Sequence, residues 1–462
     1  MGITTQIIGL LASLSFLVLV HELGHYTFAK IFHTRVEKFY IFFNPGFSIL
    51  RMKKFEGKCH FSFFSSNPPK EWADYPDNTE WGIGWIPLGG YCSIAGMIDE
   101  TKSASDLASE PQPWEFRSKP AWQRLLIILG GVLVNFITAL VVYGAVFYTW
   151  GEEYMPMENA TYGMHFSEVA QEVGFQNHDK IISVDGKPMR TNGDFITSVL
   201  IDDVGKVQVE RNGAIAEVEI PENFGQMVLA KNDNKTPICQ FDFPFVIDSV
   251  LEDMPAAMAG FEKGDSLLSA GDSNYLTFFD FQDLFSKAQG DTLTICFMRH
   301  DSICQTNVVV SEDGKIGVAP KNPYEILETK VETYSLFPAV GKGISHGWHK
   351  LVDYVKQFKL VFTKEGATQL GGFGTIGSIF PKIWNWQLFW EMTAFLSLAL
   401  AFMNFLPIPA LDGGYILFIL VEMITRRKPS DKFIGYANTI GFILLLLLLI
   451  WANGLDIFRA FN

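Results

Sequence analysis

The chain is short of positive charge. Against 36 lysines and arginines stand 50 aspartates and glutamates, a formal net charge of −14 over 462 residues. No basic stripe is available to neutralise phosphates, which excludes nucleic acid as a partner. Cysteine is also sparse: Cys59, Cys92, Cys239, Cys296 and Cys304 show no zinc-finger spacing. Cys296 and Cys304 flank a turn at Arg299 to Asp301, which leaves open a disulfide across a hairpin or two free thiols. No basic cluster precedes the apolar run Ile3 to Val20, and no small-residue cleavage site follows it. The run is therefore expected to be retained rather than removed as a signal peptide.

Apolar sequence is plentiful: hydrophobic residues make up 48% and aromatics 14%. Mean hydropathy is positive, so a membrane protein with substantial water-exposed parts is expected. Four segments are long and apolar enough to span: residues 1–32, 122–150, 386–413 and 432–453. Trp122, Trp150, Trp384, Trp386 and Trp451 lie at their edges, where amphipathic rings prefer the interface. Lys30, Arg35, Lys38, Lys119 and Arg124 bracket the first connection, residues 33–121, and Arg426, Arg427 and Lys428 occupy the third. Those connections are expected to be cytoplasmic, and both termini and the stretch from Gly151 to Asn385 extracytoplasmic.

Directly behind the first run stands His21-Glu22-Leu23-Gly24-His25. Two imidazoles four residues apart on a helix point the same way, so they can grip one zinc ion while the Glu reaches its water. Three ionisable groups within five residues of a bilayer helix are costly unless compensated, which disfavours a chance match. A catalytic zinc normally takes three protein ligands, so a third must come from elsewhere.

The best candidate is Asp412, within Asn404-Phe405-Leu406-Pro407-Ile408-Pro409-Ala410-Leu411-Asp412-Gly413-Gly414. At 1.5 Å per residue, His21 lies about 27 Å along its helix from Ile3, and Leu406 about 30 Å from Trp386. Both motifs therefore reach the same membrane face. Alone, Asp412 could equally be a helix-terminating Asp-Gly turn; beside the first motif it becomes a ligand candidate. Pro407 and Pro409 open the backbone there, which is tolerated at membrane depth only beside protein or a water-filled cavity.

His21-Glu22-Leu23-Gly24-His25 together with Leu411-Asp412-Gly413 resembles the site-2 protease family of intramembrane zinc metalloproteases, most closely its bacterial regulator-of-sigma-E protease branch. Gly130-Gly131-Val132-Leu133-Val134-Asn135-Phe136 is similar to the family's Gly-and-Asn helix segment, with Gly131 where a Pro is common. Gly371 to Gly377 is similar to its Gly-rich segment. The resemblance implies a multi-pass α-helical membrane protein with four transmembrane helices, a membrane re-entrant β-hairpin near 81–98 and two tandem extracytoplasmic PDZ domains of α+β type. Residues Lys70 to Glu80 match nothing assignable.

An internal repeat at a spacing of 86 residues supports the tandem: Gly174-Phe175 recurs as Gly260-Phe261, Asp179 as Asp265, and Ile181-Ile182 as Leu267-Leu268. The copies are placed at 155–226 and 227–322 and resemble the permuted bacterial PDZ domain. Such grooves bind extended peptides by strand addition, so the pair would gate substrates, by holding peptide ends or refusing bulky ectodomains, or act as a passive spacer. Within 323–385, Ile344, Trp348, Leu351, Val352, Val355, Phe358 and Phe362 recur at helical spacing. That fits a helix lying on the membrane surface or packed on the PDZ pair.

By resemblance, one Zn2+ per chain would be held by His21, His25 and Asp412, with Glu22 as the catalytic base. Asn404, Pro407, Pro409, Gly89 and Gly90 would lie on the substrate side, Asn404 serving the substrate backbone or only polar packing between spans. Substrates would be single-span proteins in a bacterial inner membrane, already trimmed outside, such as anti-sigma factors or remnant signal peptides, cut near the cytoplasmic face in regulated intramembrane proteolysis. A transporter with a relay through His21, Glu22, His25 and Asp412, or a membrane scaffold that binds peptides without cutting, are the competing classes.

Overall fold

The computed structural model describes residues 2–87, 89–97, 110–202, 204–231, 237–271, 273–274 and 277–461. The chain divides into two compact units. A helical unit comprises residues 1–151, 333–361 and 367–462; a β-rich unit comprises 152–332 and 362–366.

Four helices of the first unit are long and apolar enough to cross a membrane. They are α1 (Gly2–Ile31), α2 (Ala121–Trp150), the third span Trp386–Phe405 and the fourth span Asp431–Phe461. Each end has a local cause. Past α1, His33 takes a left-handed φ of 55°, and the Thr34 amide closes back onto the Ala29 carbonyl at 2.8 Å. Pro120 precedes α2 and Gly151, at φ 73°, ends it. The Asn385 side chain caps the third span by accepting from the Leu388 amide at 3.0 Å.

The third span is shorter than the 386–413 expected. It stops at Phe405, residues 406–411 are not helical, and a separate helix, Asp412–Thr425, follows. Pro407 and Pro409 have no N–H to continue the ladder, and Ala410 turns the chain at φ 77°. Asp412 thus opens a helix rather than closing one, where the positive end of the helix dipole favours a carboxylate.

Between α1 and α2 lies a five-stranded sheet of order β3-β2-β4-β1-β5. Its strands are β1 (Val36–Tyr40), β2 (Ser48–Phe55), β3 (Lys58–Ser65), β4 (Glu80–Ile83) and β5 (Tyr91–Ile94). The hairpin expected over 81–98 is not formed: β4 and β5 flank β1, the former parallel and the latter antiparallel to it. The crossing is fixed where the Trp85 and Ile86 amides both donate to the Phe43 carbonyl at 3.1 Å, which carries the chain over the strand instead of back along it. Leu88 and Ile98 lie outside the described residues. The unassigned insertion Lys70 to Glu80 covers the sheet's polar face: Trp72 is buried, its carbonyl accepts from Lys53 at 3.0 Å, and Glu80 pairs with buried Arg51 at 2.7 Å.

The amphipathic segment forms a helix, Leu336–Phe358, that packs on α2 and the third span. Its close contact is made by small residues one turn apart, Ala339, Gly343 and Gly347, all buried. A Cβ on Gly343 would sit 2.4 Å from the Gly144 backbone of α2. Tyr354 and Phe358 meet Phe402 of the third span edge-on at 5.7 and 5.3 Å. Ile344, Trp348 and Val355 of the apolar stripe stay exposed.

The β-rich unit holds two large hydrophobic cores, one from Met157 to Cys239 and one from Phe245 to Ile316, and a smaller cluster of Met155, Phe243, Phe279 and Leu327. The boundary expected at 226/227 falls inside the helix Phe224–Lys231, whose Phe224 and Val228 both belong to the first core. The first module continues to the strand Cys239–Phe241, which pairs with Met164–Phe166. The repeat is visible as matched geometry. Arg211 grips Asp179 at 2.8 and 2.7 Å and the Gly174 carbonyl at 2.8 Å. Arg299 does the same to Asp265, at 2.7 and 2.6 Å, and to the Gly260 carbonyl at 2.8 Å. Capping boxes at Thr191/Asp194 and Thr277/Asp280 start the equivalent helices. Cys296 and Cys304 are free. In the hairpin, Phe297 opposes Cys304 while Cys296 opposes Gln305, so the one-residue offset turns the two thiols to opposite faces.

Candidate metal centre

His21 and His25 sit one turn apart on α1, with their rings nearly perpendicular at 87°. Asp412 reaches them from the start of its helix. Its Oδ2 lies 3.2 Å from His21 Nε2 and 3.4 Å from His25 Nε2, and the two Nε2 atoms are 3.2 Å apart. All three side chains are at least four-fifths buried. Three lone-pair donors thus converge on one point. An ion with tetrahedral bonds of about 2.0–2.1 Å would space its donors about 3.3 Å apart, which is the spacing seen. Among the described residues no lysine or arginine pairs with Asp412, so a cation between the three atoms is what would balance its buried charge.

The imidazoles are held for this task from behind. His25 Nδ1 donates to the Ile127 carbonyl of α2 at 2.9 Å, which leaves Nε2 free to accept. His21 Nδ1 lies 3.3 Å from the Asn135 amide, also on α2. With Nε2 committed to a metal, Nδ1 must carry the proton and needs an acceptor. The Asn135 Oδ1 is buried and has no partner; a half-turn of the amide satisfies both atoms. Ser397 of the third span donates to the Asn135 carbonyl at 2.7 Å and fixes this part of α2.

Glycine makes the approach possible. A Cβ on Gly24 would lie 2.3 Å from the Gly130 carbonyl oxygen, and one on Gly131 would lie 2.5 Å from His25 Nε2 and 2.6 Å from the His21 ring. Gly131, where the family commonly has Pro, borders the donor atoms themselves. Glu22 hydrogen-bonds to the backbone of Cys92 on β5, beside both histidines and Asp412.

The other candidate residues are dispersed around this centre. Gly90 packs against the Tyr40 carbonyl and Val18, one turn before His21, and Gly89 against the Phe43 ring. Pro409 lies where Gly414 and Gly441 press on its backbone, while Pro407 is exposed. Asn404 is half-buried. The sequence marked Asn135 only as part of a helix segment and not as the group behind His21, and it gave no sign of the Ile127 carbonyl, although an amide in an otherwise apolar span signals a polar partner.

A model of peptidase family M50 matches residues 9–66 and 68–448. The chain belongs to peptidase family M50. This is the site-2 protease family to which the motifs pointed. A protein of Neisseria meningitidis named "Putative zinc metalloprotease" is 25% identical over 96% of both chains. A protein of the same description from Borreliella burgdorferi is 26% identical over 94% of both. The "Regulator of sigma E protease" of Haemophilus influenzae is 25% identical over 97% of both.

Proposed function

We propose that the protein is an intramembrane zinc endopeptidase that cuts single-span membrane proteins already trimmed outside the membrane. The observation that carries this reading is the convergence of His21 Nε2, His25 Nε2 and Asp412 Oδ2 within 3.4 Å of one another, with Glu22 alongside. Two neutral imidazoles and one carboxylate fit zinc and leave its fourth position open. When bound there, the ion supplies Lewis acidity toward a water and the scissile carbonyl.

The chain's own residues do the rest. Glu22 takes the proton of the attacking water and returns it to the leaving amine. Its hydrogen-bond partner Cys92 belongs to β5, an edge of the sheet. A substrate unwound from its helix can lie beside that edge as an added strand, which is the role a membrane re-entrant sheet near Gly89 and Gly90 would serve. Asn404 has no hydrogen-bond partner among the described residues, which suits an amide kept for substrate backbone. Pro407 and Pro409 hold the neighbouring chain open.

The two modules of the β-rich unit are read as a PDZ pair that gates substrates by their outer portions. The best-fitting setting is a bacterial inner membrane, with termini and modules outside and the centre near the cytoplasmic face. Substrates of the anti-sigma-factor type, or remnant signal peptides, would then release a cytoplasmic product.

Cleavage of a tagged single-span protein by wild type and by Glu22→Gln, with zinc measured on both, tests this. Wild type should cut, and the variant should keep one zinc per chain while its rate falls on the order of 10²–10⁴-fold. Retained zinc with no cleavage by wild type would instead favour a metal relay or a non-cutting scaffold.

A further inference from the structure

The turn that delivers Asp412 is held in a conformation its own residues do not favour. Ile408, Pro409, Ala410 and Leu411 form a β-turn, closed by the Leu411 amide donating to the Ile408 carbonyl at 3.1 Å. Proline suits its second position, but Ala410 at the third takes a φ of 77°. That value belongs to a type II turn, which calls for glycine there. Rotating the peptide that joins Pro409 to Ala410 by a half-turn would give a type I turn, with a negative φ that alanine adopts freely. A strained backbone of this kind persists only where its surroundings hold it.

The fourth span holds this peptide at both of its polar atoms. Asn438 Oδ1 accepts from the Ala410 amide at 3.3 Å. About one helical turn further on, Gly441 lies against the Pro409 carbonyl, with which any Cβ at that position would collide. Asn438 is itself steadied, since its Nδ2 donates to the hydroxyl of Tyr415, on the helix that Asp412 begins, at 3.2 Å. From the other side, Gly413 meets the Leu406 carbonyl and Gly414 the Pro409 backbone, both too closely for a side chain. In a type I turn the Ala410 amide would point away from Asn438, an unpaired donor in an apolar span. A turn free to exchange between the two forms would spread the position of Asp412, whereas a metal site needs its donors fixed to within about 0.5 Å.

We propose that Asn438 is a positioning residue for the metal centre: it holds the peptide joining Pro409 to Ala410 in the type II form and thereby fixes Asp412 against His21 and His25. The fourth span supplies none of the three donors, yet it sets the place of one of them. The inference rests on a metal being held by His21, His25 and Asp412, and not on what the centre cuts.

Zinc retention by the full chain against a graded chelator tests it, with the visible absorption bands of the Co2+-loaded protein as a second readout. Asn438→Leu should weaken retention about tenfold, the lower end of the range for groups behind a ligand, and should alter the Co2+ bands. Asn438→Ser should act in the same direction to a smaller extent, and it serves if the leucine variant does not fold. Asn453 is the control: it accepts from the Phe373 amide at 3.1 Å, about 22 Å further along the same span. Asn453→Leu should change neither readout. Ala410→Gly removes the strain, so adding it to Asn438→Leu should restore most of the retention and the wild-type bands. Unchanged retention in Asn438→Leu, equal losses in Asn438→Leu and Asn453→Leu, or no recovery with Ala410→Gly would each overturn the proposal. Wild type that holds no metal would overturn the centre itself, a result distinct from all three.

Discussion

Each unit of the molecule contains a cluster of histidine and aspartate, and the two are built on opposite logic. In the helical unit, two imidazole nitrogens converge on one carboxylate oxygen, at 3.2 and 3.4 Å. In the β-rich unit, one imidazole lies between two carboxylates: His178 Nδ1 is 3.5 Å from Asp242 and Nε2 is 3.3 Å from Asp280. The Thr277 hydroxyl lies 2.8 Å from Asp242 and 2.9 Å from Asp280. A proton on His178 answers those charges from within the protein. The first cluster has acceptors facing one another and calls for an external cation; the second is complete without one. Residue types alone do not make a metal site; the direction of the lone pairs does.

The strongest way to break this contrast is to move one charge in each cluster. Asp412→Asn should lower metal retention by more than ~100-fold, beyond the 10–100-fold typical of an outer-shell partner, as read by metal content after dialysis against a chelator. Asp280→Asn should leave metal content unchanged. If both variants lose metal alike, the distinction fails. Next in size, Asn135→Leu removes the group behind His21 and should weaken metal binding about 10–100-fold while the β-rich unit unfolds as before. A smaller effect belongs to the paired arginines. Arg299→Ala leaves the buried Asp265 carboxylate without its main partner, and should cost the module about 2 kcal/mol in thermal unfolding. Arg211→Ala should cost the first module a similar amount.

The smallest effect sharpens the second cluster. The hydrogen bond that the His178 imidazole donates to Asp280, aided by the Asp242 charge, raises its pKa to about 9 against the burial that lowers it. A group whose folded value exceeds its unfolded value stabilises fully below the unfolded value, about 6.5, and loses that contribution as pH rises through about 9. His178 is nearly half exposed, so the contribution is screened to no more than about 1 kcal/mol. His178→Gln should therefore lower the Tm of the β-rich unit at pH 6 and leave it unchanged above pH 9.5. An equal loss at both values would assign the effect to packing instead.

What could be read from the sequence followed from strict spacing. His21 and His25 needed only the helical period, and Asp412 only a rise per residue along two spans. The repeat at 86 residues aligned the turns of both modules because the strands Lys180–Val184 and Ser266–Ala270, and the helices Asn192–Ile201 and Phe278–Lys287, have equal lengths. Features set by long-range backbone contacts were not legible. The resemblance placed β structure near 81–98 but could not say that β1 separates β4 from β5, since hydrogen bonds to Phe43 decide the crossing. The apolar stripe of Leu336–Phe358 drew attention from Gly343, whose missing side chain is what lets that helix touch α2. A one-residue register offset, invisible in composition, turned Cys296 away from Cys304.

The donors of the candidate metal centre are far apart in the order of synthesis: Asp412 follows His25 by nearly 400 residues. At roughly 5–20 residues per second that is an interval on the order of 20 to 80 s. Throughout it the growing polypeptide has two imidazoles and no third donor. An interrupted product that stops before Asp412 carries the first motif intact and still lacks the three-donor cluster, so the cluster can assemble only once residue 412 has been added.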